Sequence, residues 1–134
     1  MAVVVNSGFT ETAKLMIGGT ASAFKIMALG TDSYADAVAQ TKTALSALIT
    51  ENSGLSAATA TTAVANSAVT GDTSTFEYTW TSTKVTTVNV KECGVFNKIA
   101  ATDTMLCYGT FANAIPMESG DTLKVSWSVQ VKGP

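Results

Sequence analysis

The last stretch of the chain constrains the fold more than any other feature. Between Thr122 and Val131, Leu123, Val125, Trp127, Val129 and Val131 alternate without a break with Thr122, Lys124, Ser126, Ser128 and Gln130. Successive side chains of an extended backbone point to opposite faces, so this run dictates a strand with one apolar and one polar face. An apolar sheet face has to be covered by a second layer. The run is therefore expected to be a central core strand, and Ser119-Gly120-Asp121 supplies the turn before it.

The same period of two recurs upstream. Phe76, Tyr78 and Trp80 alternate with Glu77, Thr79 and Thr81, and Val85, Val88 and Val90 continue in a second strand. Residues 97–103 read as a turn, after which Met105, Cys107 and Phe111 alternate with Leu106 and Tyr108. Strands at this spacing predict a mainly β chain, an antiparallel β-sandwich of jelly-roll-like type. Lys14-Leu15-Met16-Ile17 is a short apolar run, read as a strand closed by Gly18-Gly19. In the next run Phe24, Ile26 and Ala28 share one face and Met27 and Leu29 the other, which predicts a strand buried on both sides and ended by Gly30. One short α-helix is expected near residues 34–50. Ser33 and Asp36 form a capping-box arrangement, and Tyr34, Val38, Thr41, Leu45 and Leu48 make one stripe, with Gly54 as the C-terminal cap. Residues 55–70 are mostly small. Within them Thr61, Ala63 and Ala65 alternate with Thr62 and Val64, as in an exposed edge strand. The expected division is an N-terminal arm, residues 1–12, and a single β-sandwich domain, residues 13–134.

Charge and composition exclude much chemistry. A chain of 134 residues makes one domain able to bury roughly two-thirds of its unfolded surface. All eight basic residues are Lys, and with neither Arg nor His a Ser-His-Asp triad, a His-ligated metal and an Arg clamp on phosphate are impossible. A net charge of -2 with no basic cluster argues against nucleic acid. The longest uncharged stretch, residues 52–71, is rich in Ala, Thr, Ser and Asn and too polar to span a membrane. Met1 to Val5 is apolar but stops at Asn6, so no targeting segment is read there. Charged residues are 13%, about half the usual share, while 22 Thr and 12 Ser fill the outer faces. Two readings follow: other subunits cover this surface, or it is the exterior of an ordinary Thr-rich β domain.

Few residues are candidates for chemistry. If the turn after Phe96 centres near Ala100, opposed residues sum to 200 and Cys93 faces Cys107; both are expected to be reduced, buried thiols. Two thiolates without His cannot close a zinc site. A glycosidase needs two carboxyls about 5–10 Å apart. Glu77, Glu92, Asp103 and Glu118 are the candidates, and nothing local pairs them. Phe76, Tyr78 and Trp80 suit either a stacking platform or a core, and without a basic groove the core is expected. Gly18-Gly19 lacks the residues of a phosphate loop. Glu92 marks a β-bulge where the apolar face switches. No catalytic residue, cofactor or metal ligand is expected, and the chain reads as a non-enzyme.

Several segments carry a resemblance. They are Phe24-Lys25-Ile26-Met27-Ala28-Leu29-Gly30-Thr31, Val88-Asn89-Val90-Lys91-Glu92-Cys93-Gly94-Val95-Phe96-Asn97, Thr104-Met105-Leu106-Cys107-Tyr108-Gly109-Thr110-Phe111 and Ser119-Gly120-Asp121-Thr122-Leu123-Lys124-Val125-Ser126-Trp127. In this order they resemble small structural proteins of tailed bacteriophages, across most of the chain. Where that group often has Ala between Glu and Gly, this chain has Cys93. The motifs are strand and turn signatures. The resemblance implies a virion protein made in the host cytoplasm: a capsid decoration (cement) protein that stabilises the head, or else a tail or fibre subunit or a receptor- or glycan-binding tail module. It implies a homotrimer, with the major capsid protein or other virion proteins as partners. Strand addition by the arm, hiding Val3, Val4, Val5 and Phe9 against a neighbour, is the expected contact.

Overall fold

The structure, a computed structural model, describes residues 2–19, 22–33, 40–51, 53–65, 72–98 and 104–130. Two antiparallel sheets face each other, as the period-two runs predict. The larger holds β1 (Ala2–Val4), β2 (Ile26–Gly30), β3 (Ala58–Thr59), β6 (Val88–Phe96) and β7 (Met105–Met117), in the order β1-β7-β6-β2-β3. The smaller has the order β4-β5-β8, from β4 (Thr61–Ala65), β5 (Thr73–Thr81) and β8 (Thr122–Gln130). The chain leaves β5 in the small sheet, makes the β6–β7 hairpin in the large one, and returns as β8 beside β5. One short helix, α1 (Asn6–Met16), lies against β7.

The large sheet is covered on both faces. Every residue of β2 is buried, and its alternation divides two cores. Met27 and Leu29 join Phe76, Trp80, Val90, Cys93, Val95 and Cys107 between the sheets. Ile26 and Ala28 join Val5, Leu45, Phe96, Met105 and Tyr108 on the far side. Phe76 and Trp80 thus pack in the core, with Tyr78 partly buried beside them and its ring edge-on to Trp80 at 4.9 Å. The indole Nε1 of Trp80 donates to Ser56 O at 2.9 Å, so the largest core side chain leaves no polar atom unpaired.

Four placements differ from the sequence reading. Among the described residues the helix lies at residues 6–16, and 40–50, the described part of the expected one, are not helical. Residues 34–39 lie outside the described residues, and 40–50 form turns and extended chain, with Leu48 bridged to Gly30. Backbone bonds from Thr31 N to Ala47 O and from Ile49 N to Leu29 O make this segment a neighbour of β2. Leu45 and Ile49 are buried, but as a cover for the sheet. Of the described members of the expected stripe, Leu45 is buried, Leu48 is half-buried and Thr41 is exposed, so the spacing does not mark one buried face.

The second correction concerns residues 1–12. They form no free arm, because β1 pairs with the chain's own β7, Ala2 opposite Gly109, and α1 runs through the expected boundary at 12 and 13. Lys14 to Met16 are therefore helix rather than strand, closed where Gly19 N donates to Lys14 O at 2.8 Å. The helix has Val5 as its N-cap, without a capping side chain. Gly8 supplies what local signals do not: a Cβ there would sit 2.4 Å from Leu106 O, so only Gly lets α1 lie this close to β7.

Third, β8 is an edge strand with half-buried apolar residues instead of a central one, and Val131 lies outside the described residues. Its pattern of faces is as predicted, with Leu123, Val125, Trp127 and Val129 against the inter-sheet core. Fourth, Cys93 faces Gly109 and Cys107 faces Val95, so the thiols are diagonal neighbours and not opposed. A register shift between Val95 and Phe96 moves the pairing away from the symmetric count. A larger shift separates Val90 (opposite Ile115) from Glu92 (opposite Thr110), and here the core-facing side of β6 changes from Val88 and Val90 to Cys93 and Val95. That is the irregularity expected at Glu92. β4 is the expected exposed edge strand.

Two stability outcomes follow. Gly8→Ala should destabilise by about 1–3 kcal/mol in urea unfolding, although Ala is the better helix former. A stabilised variant would mean that α1 does not rest on Leu106. Trp80→Ala should cost about 3–5 kcal/mol, and Trp127→Ala, being half-buried, distinctly less.

Candidate functional site

One concavity lies along the side of the sandwich where β1 and β7 approach β8. Two adjoining hollows of about 340 and 150 Å³ share Ala2 and Trp127, with Phe111, Val125, Val4 and Val129 among their walls. Alternation in β8 aims Val125, Trp127 and Val129 inward, and β1 supplies Ala2 and Val4 from the opposite sheet. Trp127 Nε1 donates to Cys93 Sγ at 3.4 Å, which fixes the indole across the floor. The larger hollow is mostly apolar, and the smaller is also lined by Ser128 and Gln130. Among the described residues neither is lined by an acid, a base or an activated nucleophile.

The cysteines are not such nucleophiles. Both are free and buried. Burial pushes the Cys93 thiol up to about 12, against a smaller opposing effect of the Trp127 bond. Burial likewise takes Cys107 up to about 12, with Cys93 adding to the rise. Near neutral pH both stay thiols, and an unreactive packing role follows.

The candidate carboxylates are dispersed. Glu77 lies on the outer face of β5, where Lys124 at 2.9 Å and the Ser126 hydroxyl at 2.8 Å hold its carboxyl below the usual range. Glu118 lies in the β7–β8 turn and accepts from Thr87 Oγ1 at 2.9 Å, while its N–H donates to Asp121 Oδ2 at 2.8 Å. Asp103 lies outside the described residues. Glu92 is buried on the face of the large sheet turned away from β5, so two sheets separate it from Glu77. Among the described residues no three His, Cys, Asp or Glu side chains converge as a metal site.

Glu92 is a structural carboxylate with one use visible. Its Oε1 accepts from Ala47 N at 3.1 Å, and Oε2 has no partner. A Cβ at position 30 would lie 2.4 Å from that Oε1, so Gly30 makes the room for it. Burial raises the carboxyl above its ordinary 4.5, offset in part by the Ala47 and Ser46 backbone groups, and Asp32 adds slightly to the rise. Asp32 is itself held down by the Ser33 N–H and by Lys91, 3.5 Å away.

Of the residues expected at an interface, Val5 is wholly buried in the chain's own core, and Val3 and Val4 pack partly against it. Phe9 is exposed, at 54%. The sequence reading missed its companions at the C-terminal end of α1: Leu15, and above all Met16 and the C-cap residue Ile17, which are 81% and 84% exposed. The spacing of Phe9 and Met16, one heptad apart, was the available signal, but it has meaning only once the segment is known to be helical. Neither a scan against family models nor comparison with curated proteins and with solved structures finds a match.

Two measurements probe these groups. Native protein at pH 8 should react negligibly with a thiol reagent, and denatured, unreduced protein should yield two free thiols; finding none would mean a disulfide. For Glu92, a raised value means that the folded chain holds the proton more tightly than the unfolded chain. Its contribution to stability therefore falls as pH rises from about 4.5 through the folded value. Glu92→Gln keeps an oxygen for Ala47 N and removes the titration. Its stability relative to wild type should rise from about pH 4 to about pH 8, read from urea midpoints. A flat difference would mean that Glu92 does not titrate there.

Proposed function

We propose that this chain is a non-enzymatic structural subunit of a tailed-bacteriophage virion, made in the host cytoplasm and acting as a capsid decoration protein. One observation carries the assembly part of this reading. Leu15, Met16 and Ile17 leave the C-terminal end of α1 apolar and uncovered, with Phe9 exposed about two turns earlier on the same helix, on a chain whose surface is otherwise short of charge. Apolar patches of this kind mark surfaces that bind other proteins. The virion setting comes from the strand and turn resemblance. The occupant of the patch is the major capsid protein. With β1 already paired to β7, contacts between copies fall to surfaces other than an exchanged arm.

Co-sedimentation of the purified protein with phage heads, together with copy-number mass spectrometry of purified virions, tests the proposal. Hundreds of copies per particle are expected; a few copies would move the protein to the tail, as a fibre or receptor-binding subunit. Met16→Glu with Ile17→Glu should abolish attachment while changing stability by less than about 0.5 kcal/mol, because both side chains face solvent. Unchanged attachment would remove α1 from the contact.

A further inference from the structure

We propose that the outer edge of β8 pairs with the β8 of a second copy, antiparallel and about a two-fold axis at Ser126. Among the described residues no strand pairs with that edge, and β8 is bonded on one side only, to β5. Exposed edges normally carry protection: a Pro, a bulge, a charged side chain (Lys above all), an inward charge or a very short strand. Of these β8 has only Lys124, and that charge is engaged by Glu77 of its own chain. The strand runs nine residues in uninterrupted register with β5, with no Pro, and its inward side chains are all apolar.

The order of residues in β8 is self-complementary. A centre at Ser126 pairs all nine residues, and any other centre leaves some unpaired. Leu123 then faces the second copy's Val129, and Val125 its Trp127, so every pair on the inner face is apolar. On the outer face Thr122 meets Gln130, Lys124 meets Ser128, and Ser126 meets itself. The sole charge on β8, Lys124, already lies 2.9 Å from Glu77 of its own chain and meets no like charge across the axis. The inner side of the added strand would face Ala2 and Val4 across the groove beside Trp127. A two-fold contact of one patch with itself is the commonest form of self-association. This pairing does not depend on the virion reading.

Ser128 is exposed, so its charge can be set without disturbing the core. Sedimentation velocity of wild type, Ser128→Lys and Ser128→Glu over a concentration series at low salt is the test, with folding checked by circular dichroism. Wild type should form a reversible dimer. Ser128→Lys opposes Lys124 at two symmetric positions and should weaken it by roughly 2- to 30-fold, and Ser128→Glu should tighten it by a similar factor. Both effects should shrink at high salt. A wild-type monomer throughout, a closed trimer, or a dimer that both variants shift in the same direction or not at all would overturn the pairing. A charge-dependent dimer that ignores phage heads keeps the pairing and removes the decoration reading. A monomer that binds heads does the reverse.

Discussion

Burial of the large sheet on both faces is the constraint on which the rest of the structure depends. β2 has no solvent face, so Met27 and Leu29 need one apolar layer while Ile26 and Ala28 need another. The small sheet is the first layer; Val5, α1 and the segment around Leu45 make the second. A two-sheet sandwich alone would leave Phe96, Met105 and Tyr108 in water. The N-terminal segment is therefore committed within its own chain and is no longer free to serve a neighbour.

That second layer also explains the buried acid. The segment at 45–49 lies on the sheet without regular secondary structure, and its backbone donors need acceptors. Glu92 accepts the Ala47 N–H from β6, at a point where the core-facing side of that strand changes. The raised carboxyl value is the cost of putting an acceptor under a sheet. The outer carboxylates, by contrast, sit in ion pairs and turns at the surface, where water screens them.

What remains open on the surface differs in kind from what is buried. The end of α1 offers side chains without a backbone edge, and β8 offers a backbone edge with half-buried side chains. The first suits a partner with a complementary apolar hollow, and the second suits only another strand. A chain with 13% charged residues has few charges with which to mask either surface.

Much of the fold was legible because strand alternation is a local property. The faces of β5 and β8, the double burial of β2, the exposed edge strand at β4, the turn at Ser119–Asp121 and the irregularity at Glu92 all follow from residues close in sequence. The fate of the candidate chemistry was partly legible too: no charge pattern drew Glu77, Glu92 and Glu118 together, and the fold keeps them apart. Three things required the tertiary structure. Residues 6–16 wind into a helix because Gly8 lets them settle on Leu106, a contact 98 positions away in the chain. The thiols miss each other because a register shift between Val95 and Phe96, next to the hairpin turn, acts on pairing that a symmetric count cannot see. Whether β8 lies at the centre or the edge depends on which strands come to flank it, and alternation is the same in both places. By itself the sequence determined which side of the uninterrupted strands β5 and β8 faces the core, since that needs only the two-residue period. At the start of β7 a register shift breaks that period, and Met105 lies with Tyr108 on the far side while Leu106 joins Cys107 between the sheets. Only the tertiary structure decided which edges and helix ends stay uncovered, because that is settled by distant segments competing for the same apolar faces.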